Sequence, residues 1–227
     1  MLFWIKRNIL KINTFFFVIF LFFFLCFPGY DITFSNFFFS GGQFLSERFT
    51  LIKDLRSFFK DLMVFFSLGA LFLLIVSYLL KKTKKKMFTL RHRLVLLGLV
   101  IGPIVGCGII ANMYFKDTWG RARPAYVNEF GGDKIYTAAF QKSDQCEKNC
   151  SWISGEASAA FSFISGTILL KNPIFLVINI FIGFTVSFFR ISMGGHFLSD
   201  NIFAMLFMIY LAIIYRYLAL KYLKKYV

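Results

Sequence analysis

Acidic residues, proline, cysteine and histidine are all scarce in this chain of 227 residues. Four prolines and 16 glycines exclude a collagen-like repeat, and four cysteines exclude a dense disulfide framework. Only 16% of residues are charged, so the chain is not a solvated disordered segment. Two histidines and 11 acidic residues leave no dense ligand cluster for a metal. Apolar residues are abundant instead: 58% of the chain, with 34 Phe and a mean hydropathy of +0.69. A soluble protein of 26.4 kDa has no interior large enough to hide that much Phe. The remaining class is an all-α polytopic membrane protein, read here as one membrane domain over residues 1–227.

Six apolar runs approach the ~20 residues that a bilayer-crossing helix needs. They are Ile12–Tyr30, Leu62–Leu80, Leu94–Phe115, the shorter Ala157–Leu170, Asn172–Phe189, and Asn201–Tyr215, which extends to about Leu220 if Arg216 snorkels. Cys26-Phe27-Pro28-Gly29 lacks a small-x-small cleavage pattern, so the first run reads as a retained span, not a signal peptide. With six spans both termini share a side. That side carries Lys6, Arg7, Lys11, the Lys81–Lys86 run, Arg91, Arg93, Lys171, Arg216 and the C-terminal lysines: 15 basic residues and no acidic one. The whole net charge of +15 therefore sits on one face. Basic residues gather on the cytoplasmic side, so both termini are expected there, and the lysine run is an orienting signal and not a nucleic-acid patch.

Between the first two spans, Phe44, Leu45, Leu51, Ile52, Leu55, Phe58 and Phe59 recur at helical spacing. This predicts an amphipathic helix on the outer membrane surface, or one packed over the bundle. Cys146 and Cys150 lie in the outer loop, where an oxidising compartment would pair them in a disulfide over a short loop. Two thiols without nearby His do not make a metal site.

Charges at membrane depth are costly, so clusters at span ends are candidates for function. Three fall on the same predicted outer face. Lys116, Arg121 and Arg123-Pro124 follow the third span; guanidinium forks bind phosphate oxygens in pairs and Lys adds a point charge. Ser154-Gly155-Glu156 opens the fourth, where backbone N–H groups at a helix start attract anions. Arg190, Gly194-Gly195, His196 and Asp200 join the fifth to the sixth. His196 and Asp200 are four apart, on one helical face. An Asp on one imidazole nitrogen would fix the tautomer and free the other for attack.

Lys116-x6-Arg123-Pro124, Ser154-Gly155 and Arg190-x5-His196-x3-Asp200 together resemble the signature of the type 2 phosphatidic acid phosphatase family. Phe130-Gly-Gly-Asp133-Lys134, the Cys146/Cys150 pair and Gly155-Glu156-Ala157-Ser158 resemble more narrowly the bacterial inner-membrane lipid A phosphatases, particularly those removing the 4′-phosphate. The resemblance implies a six-helix membrane fold and hydrolysis of a lipid phosphate on the periplasmic face, without a metal cofactor. It implies that Lys116, Arg123 and Arg190 clamp the phosphate and that N–H groups around Ser154 and Gly155 complete the cradle. His196 would form a phosphohistidine, held by Asp200. Three positions depart from the family pattern: Ile153 stands where a Pro is usual, Glu156 where a His is usual, and Phe189 where a Ser is usual. Glu156 is expected to act as general acid, with a pKa raised by partial burial; the alternative is that it merely pairs with Arg121 or Arg123. Asp133, Lys134, Lys142 and Lys148 either read the headgroup or form a solvated loop.

Rival readings within the same chemistry are an undecaprenyl-diphosphate or phosphatidylglycerophosphate phosphatase, or a phosphotransferase. From other classes come a transporter, disfavoured by the uncharged mid-depth of the spans, and a non-catalytic lipid-binding protein, motivated by the absent second His.

Overall fold

The computed structural model describes residues 2–80 and 88–226, with side chains from Asn8 to Leu80 and from Phe88 to Lys225. The Lys81–Lys86 run lies outside the described residues. Among the described residues the fold is all-α apart from one two-stranded hairpin. Its long elements are α1 (Leu2–Cys26), α4 (Thr50–Leu79), α5 (Leu90–Pro103) with its continuation to Thr118, α9 (Ile174–Ser192) and α10 (Leu198–Tyr226). Among the described residues these five are long and apolar enough to cross a membrane. Phe15, Phe22, Phe65, Phe72 and Phe181 stand 62–70% exposed on their outer faces, as side chains facing lipid do.

The fourth expected span takes a different form. It is two short helices, α7 (Gly155–Ser162) and α8 (Ile164–Thr167), broken at Phe163. Ser162 Oγ donates to the Ala159 carbonyl (2.7 Å) and Thr167 Oγ1 to the Phe163 carbonyl (3.3 Å), a back-bonding that bends helices. At ~1.5 Å per residue the pair reaches only about 20 Å. Ala157, Ala160, Phe161 and Ile164 are fully buried, so these helices are enclosed by the others and need no lipid-facing length. They still join the two ends of the bundle. Ser154 contacts Asp200 at one end, and Arg91 Nε reaches the Leu169 carbonyl at the other (2.8 Å).

Close packing around this centre comes from a glycine stripe. Gly98, Gly102 and Gly106 share one face of the third span, and a Cβ at Gly102 would stand 2.3 Å from the Ser162 carbonyl oxygen. At Gly98 it would meet the Ser165 carbonyl at 2.7 Å, and at Gly106 the Met208 sulfur at 2.3 Å. Small residues let helix backbones approach where apolar burial supplies no drive, because lipid is equally apolar. Pro103, which has no N–H to donate, lies within the stripe, and beyond it the rod runs on as a π-helix (Ile104–Phe115) and ends in α6 (Lys116–Thr118).

The expected surface helix is not a separate element. Pro28-Gly29 follows α1 and leads into α2 (Tyr30–Asn36). Strands β1 (Phe39–Ser40) and β2 (Gln43–Phe44) pair around Gly41 and Gly42, both at positive φ, and α3 (Leu45–Arg48) follows. Only Phe49 breaks the helix there (φ −123°, ψ 91°). Between Thr50 and Leu79 no proline interrupts the chain, so the amphipathic stretch and the second span form the single 30-residue α4.

Candidate active site

The turn after α9 brings Arg190 and His196 together. The Arg190 carbonyl accepts from the N–H groups of Gly195 (3.0 Å) and His196 (3.2 Å). Gly194 sits at φ +62°, and a Cβ on Gly195 would lie 2.6 Å from Arg190 Nη2. Two glycines therefore let the loop fold tightly under the guanidinium. Arg190 is buried, and its Nε has no hydrogen-bond partner among the described residues.

His196 is buried, with Nδ1 2.8 Å from the Ser151 carbonyl oxygen. A carbonyl only accepts, so Nδ1 carries the proton and Nε2 keeps its lone pair. Burial first, then the charges of Arg190, Arg123 and Lys116, hold the imidazole pKa well below its ordinary value. The ring is thus a neutral imidazole in a cationic setting.

Asp200 was expected to be the hydrogen-bond acceptor of that ring. Its Oδ2 is 3.5 Å from Nδ1, and its hydrogen bonds go elsewhere. Oδ2 accepts from Ser151 Oγ (2.5 Å) and the Phe197 N–H (2.8 Å), and Oδ1 from Arg121 Nη1 (2.6 Å). Asp200 lies in the first turn of α10, where the carboxylate closes back on the N–H of Phe197, the residue before the helix. It holds Ser151, and Ser151 holds the imidazole. The expected tautomer is kept through a different acceptor.

Arg121 belongs to this scaffold and not to the phosphate clamp. It is fully buried, with Nη2 2.8 Å from Asp31 Oδ2 and its guanidinium carbon 4.3 Å from the centre of the Phe197 ring. Burial opposes its charge, but Asp200 and Asp31 outweigh that and raise its pKa. Asp31 also accepts from the Ser199 N–H at the start of α10 (2.9 Å).

Lys116 and Arg123 are joined through Asn149. Asn149 Oδ1 accepts from Lys116 Nζ (3.1 Å) and Arg123 Nη2 (2.7 Å), and its carbonyl from Arg123 Nε (3.1 Å). Asn149 holds φ +54° inside the loop closed by the Cys146–Cys150 disulfide. Gly155 brings the start of α7 close: a Cβ there would stand 3.0 Å from Lys116 Nζ. Ser154 caps α7 by accepting from the Ala157 N–H (3.4 Å), but its own N–H donates to the Asp200 carbonyl (3.2 Å). The expected N–H cradle therefore reduces to Gly155 and Glu156.

Glu156 pairs with neither Arg121 nor Arg123. Its carboxylate takes two hydrogen bonds from Arg56 of α4 and lies 3.5 Å from Arg190 Nη1. Burial would raise its pKa, yet the Arg56 hydrogen bonds and the charges of Arg190 and Arg56 win, and the net shift is downward. It rests as an anion, not as the protonated acid expected. Phe189, another unusual residue, packs on Phe59 of α4, one turn beyond Arg56 (ring centres 5.7 Å). Glu156 and Phe189, two of the three departures from the family pattern, thus meet the same helix.

Lys116, Arg123, Gly155, Glu156, Arg190 and His196 converge at one end of the bundle, while His92 caps α5 through Thr89. The spacing argument missed Asp31, Arg56, Asn149 and Ser151. Asp31 is the first acidic residue of the chain and directly follows an apolar span, which was a usable signal. Among the described residues no group of three His, Cys, Asp or Glu is placed to hold a metal. Asn149→Gly keeps a backbone suited to positive φ but removes the shared amide oxygen. It should lower kcat/KM about tenfold, the scale of a misplaced clamp, with the folded structure retained. Unchanged steady-state kinetics would remove Asn149 from this role.

The PAP2 superfamily profile matches residues 93–223. The chain is 34% identical over 139 residues to a protein of Francisella tularensis subsp. novicida named lipid A 4′-phosphatase, covering 60% of this chain and 63% of that one. It is 33% identical over 106 residues to a protein of the same name from Rhizobium etli, covering 45% and 40%. The Rhizobium leguminosarum protein of that name is also 33% identical, over 105 residues. The chain thus spans less than two thirds of the length of these relatives. No solved structure gives a significant match.

Proposed function

Because the chain belongs to the PAP2 superfamily, we propose that it is a membrane lipid phosphatase that hydrolyses a phosphate monoester of lipid A. The observation that carries the reading is the meeting of Lys116, Arg123 and Arg190 around a buried, neutral His196. Three fixed cations suit a phosphate dianion, and Arg190 Nε, without a hydrogen-bond partner among the described residues, leaves a donor for it. The names of the relatives support the substrate. So does an apolar groove of about 250 Å³ that starts at Phe59, one turn from Arg56, and runs past Met63, Phe66 and Ile182. It suits an acyl chain.

In the first step the His196 Nε2 lone pair attacks phosphorus. The P–O ester bond breaks, and the leaving oxygen takes a proton from water. In the second step water attacks the phosphohistidine and the P–N bond breaks. Glu156, an anion at rest, takes the water proton and passes it to the hydroxide left by the first step, and inorganic phosphate leaves. The cations hold the phosphoryl oxygens throughout. The basic residues at the opposite helix ends (Arg91, Arg93, Lys171, Arg216) support a cytoplasmic position for that end, and with it a reaction on the periplasmic face of a bacterial inner membrane.

The direct test is mass spectrometry of lipid A from a bacterial host that retains both lipid A phosphates, with and without this chain. One phosphate should be lost from the distal sugar, and intact bis-phosphorylated lipid A alongside well-expressed protein would refute the reading. Glu156→Gln keeps the shape that Arg56 binds but removes the base. Turnover should fall about 100-fold, with phosphoenzyme accumulating. Turnover at the wild-type rate would take Glu156 out of the reaction.

A further inference from the structure

Beside the phosphate clamp lies a second polar cavity of about 400 Å³, within the usual size of small-ligand sites. Arg123 and Asn149 line both, so the cavity opens directly from the site of reaction. Its other walls include Tyr126, Asp133, Lys134 and Lys148. These come from two segments of the loop that the chemistry above leaves unused.

The cavity is built, not a gap between loose loops. Gly132 packs against the Tyr126 backbone so closely that a Cβ would stand 2.1 Å from the Tyr126 carbonyl oxygen. The Lys134 N–H donates to the Tyr126 carbonyl and the Asn128 N–H to the Lys134 carbonyl (both 2.9 Å). This folds Phe130-Gly-Gly-Asp133-Lys134 back over Tyr126. The facing wall is the disulfide loop, tied across by the Ile135 N–H on Gln145 Oε1 (2.9 Å) and by Asn149 on Arg123.

The lining selects a chemical class. A carboxylate accepts from hydroxyl groups, ammonium and amide groups donate to them, and the largely exposed Tyr126 ring offers a flat apolar face. A glycerol headgroup presents too few hydroxyls and no rigid face to use that set. We propose that this cavity is a sugar subsite, holding the pyranose whose phosphate lies on Arg123. The inference rests on the phosphatase reading above and adds how a glycolipid is told from a glycerophospholipid.

The test is competitive inhibition of lipid A turnover by two soluble monoesters, glucosamine 4-phosphate and glycerol 1-phosphate. The wild-type protein should bind the sugar ester about tenfold more tightly, the worth of one or two added hydrogen bonds. Asp133→Ala and Tyr126→Ala should each erase most of that advantage, seen as a rise in the inhibition constant of the sugar ester relative to the glycerol ester. Both side chains are exposed or on the rim, and circular dichroism checks that each variant folds. Equal binding of the two esters by wild type, or equal weakening of both in the variants, overturns the subsite while leaving the phosphatase reading intact. Absence of any lipid A turnover in wild type refutes that reading and the subsite with it.

Discussion

Replacing Arg121 with methionine should destabilise the folded protein by at least about 3–5 kcal/mol, the cost of stranding a buried charge. Arg121 is the cation between Asp31 and Asp200, both fully buried, and it also takes contacts from Ser199 and the Phe197 ring. Methionine fills much of the same volume but leaves two carboxylates without a counter-charge. Thermal unfolding in detergent reads the effect directly. A triple variant, Arg121→Met with Asp31→Asn and Asp200→Asn, removes the stranded charges and should recover part of the loss. A single Arg121→Met variant that melts with wild type would show that the cluster is not what fastens the loop to the bundle.

His196→Gln should abolish turnover, by at least about 10⁴-fold if it is the nucleophile, while the protein remains folded. The glutamine amide can still reach the Ser151 carbonyl, but it has no lone pair suited to attack on phosphorus. The same reading fixes the pH dependence. Attack needs the neutral ring, and the folded environment holds its pKa well below 6.5. The kcat/KM of the wild-type protein should therefore hold level as pH falls through 6.5. It should decline only in more acid buffer, where Nε2 is protonated and its lone pair is lost. An acid limb centred at or above pH 6.5 would contradict a buried neutral imidazole.

The long lipid-facing helices were legible because each exposes a run of Phe, Leu and Ile too long for any soluble use. The fourth span was weaker in the sequence for a structural reason. Its residues are enclosed by other helices, so small side chains and serines serve better than bulk hydrophobicity. The Gly98, Gly102 and Gly106 spacing was visible in the sequence, but which helix it admits is decided only by packing. At the site, charges beside span ends singled out Lys116, Arg123, Arg190 and His196, which the fold brings to one end of the bundle. Pairing was not legible. Asp31 lies 90 residues from Arg121, and Arg56 lies 100 from Glu156, so neither partner follows from local spacing. The four-residue interval from His196 to Asp200 suggested a direct hydrogen bond. At a helix start the carboxylate is instead claimed by the Phe197 N–H, and Ser151 takes over the imidazole.

The ion cluster beneath the loop also bears on modularity. The family match begins at residue 93, yet one of the two anions on Arg121 comes from residue 31, and one of the two cations on Glu156 from residue 56. The first third of the chain is thus no detachable anchor. Grafting the matched segment onto another membrane leader would carry over Lys116, Arg123, Arg190 and His196, but not the residues that pair with Arg121 and Glu156 from outside it. A transplant that works must bring α2 and α4 with it, or supply their two charges anew.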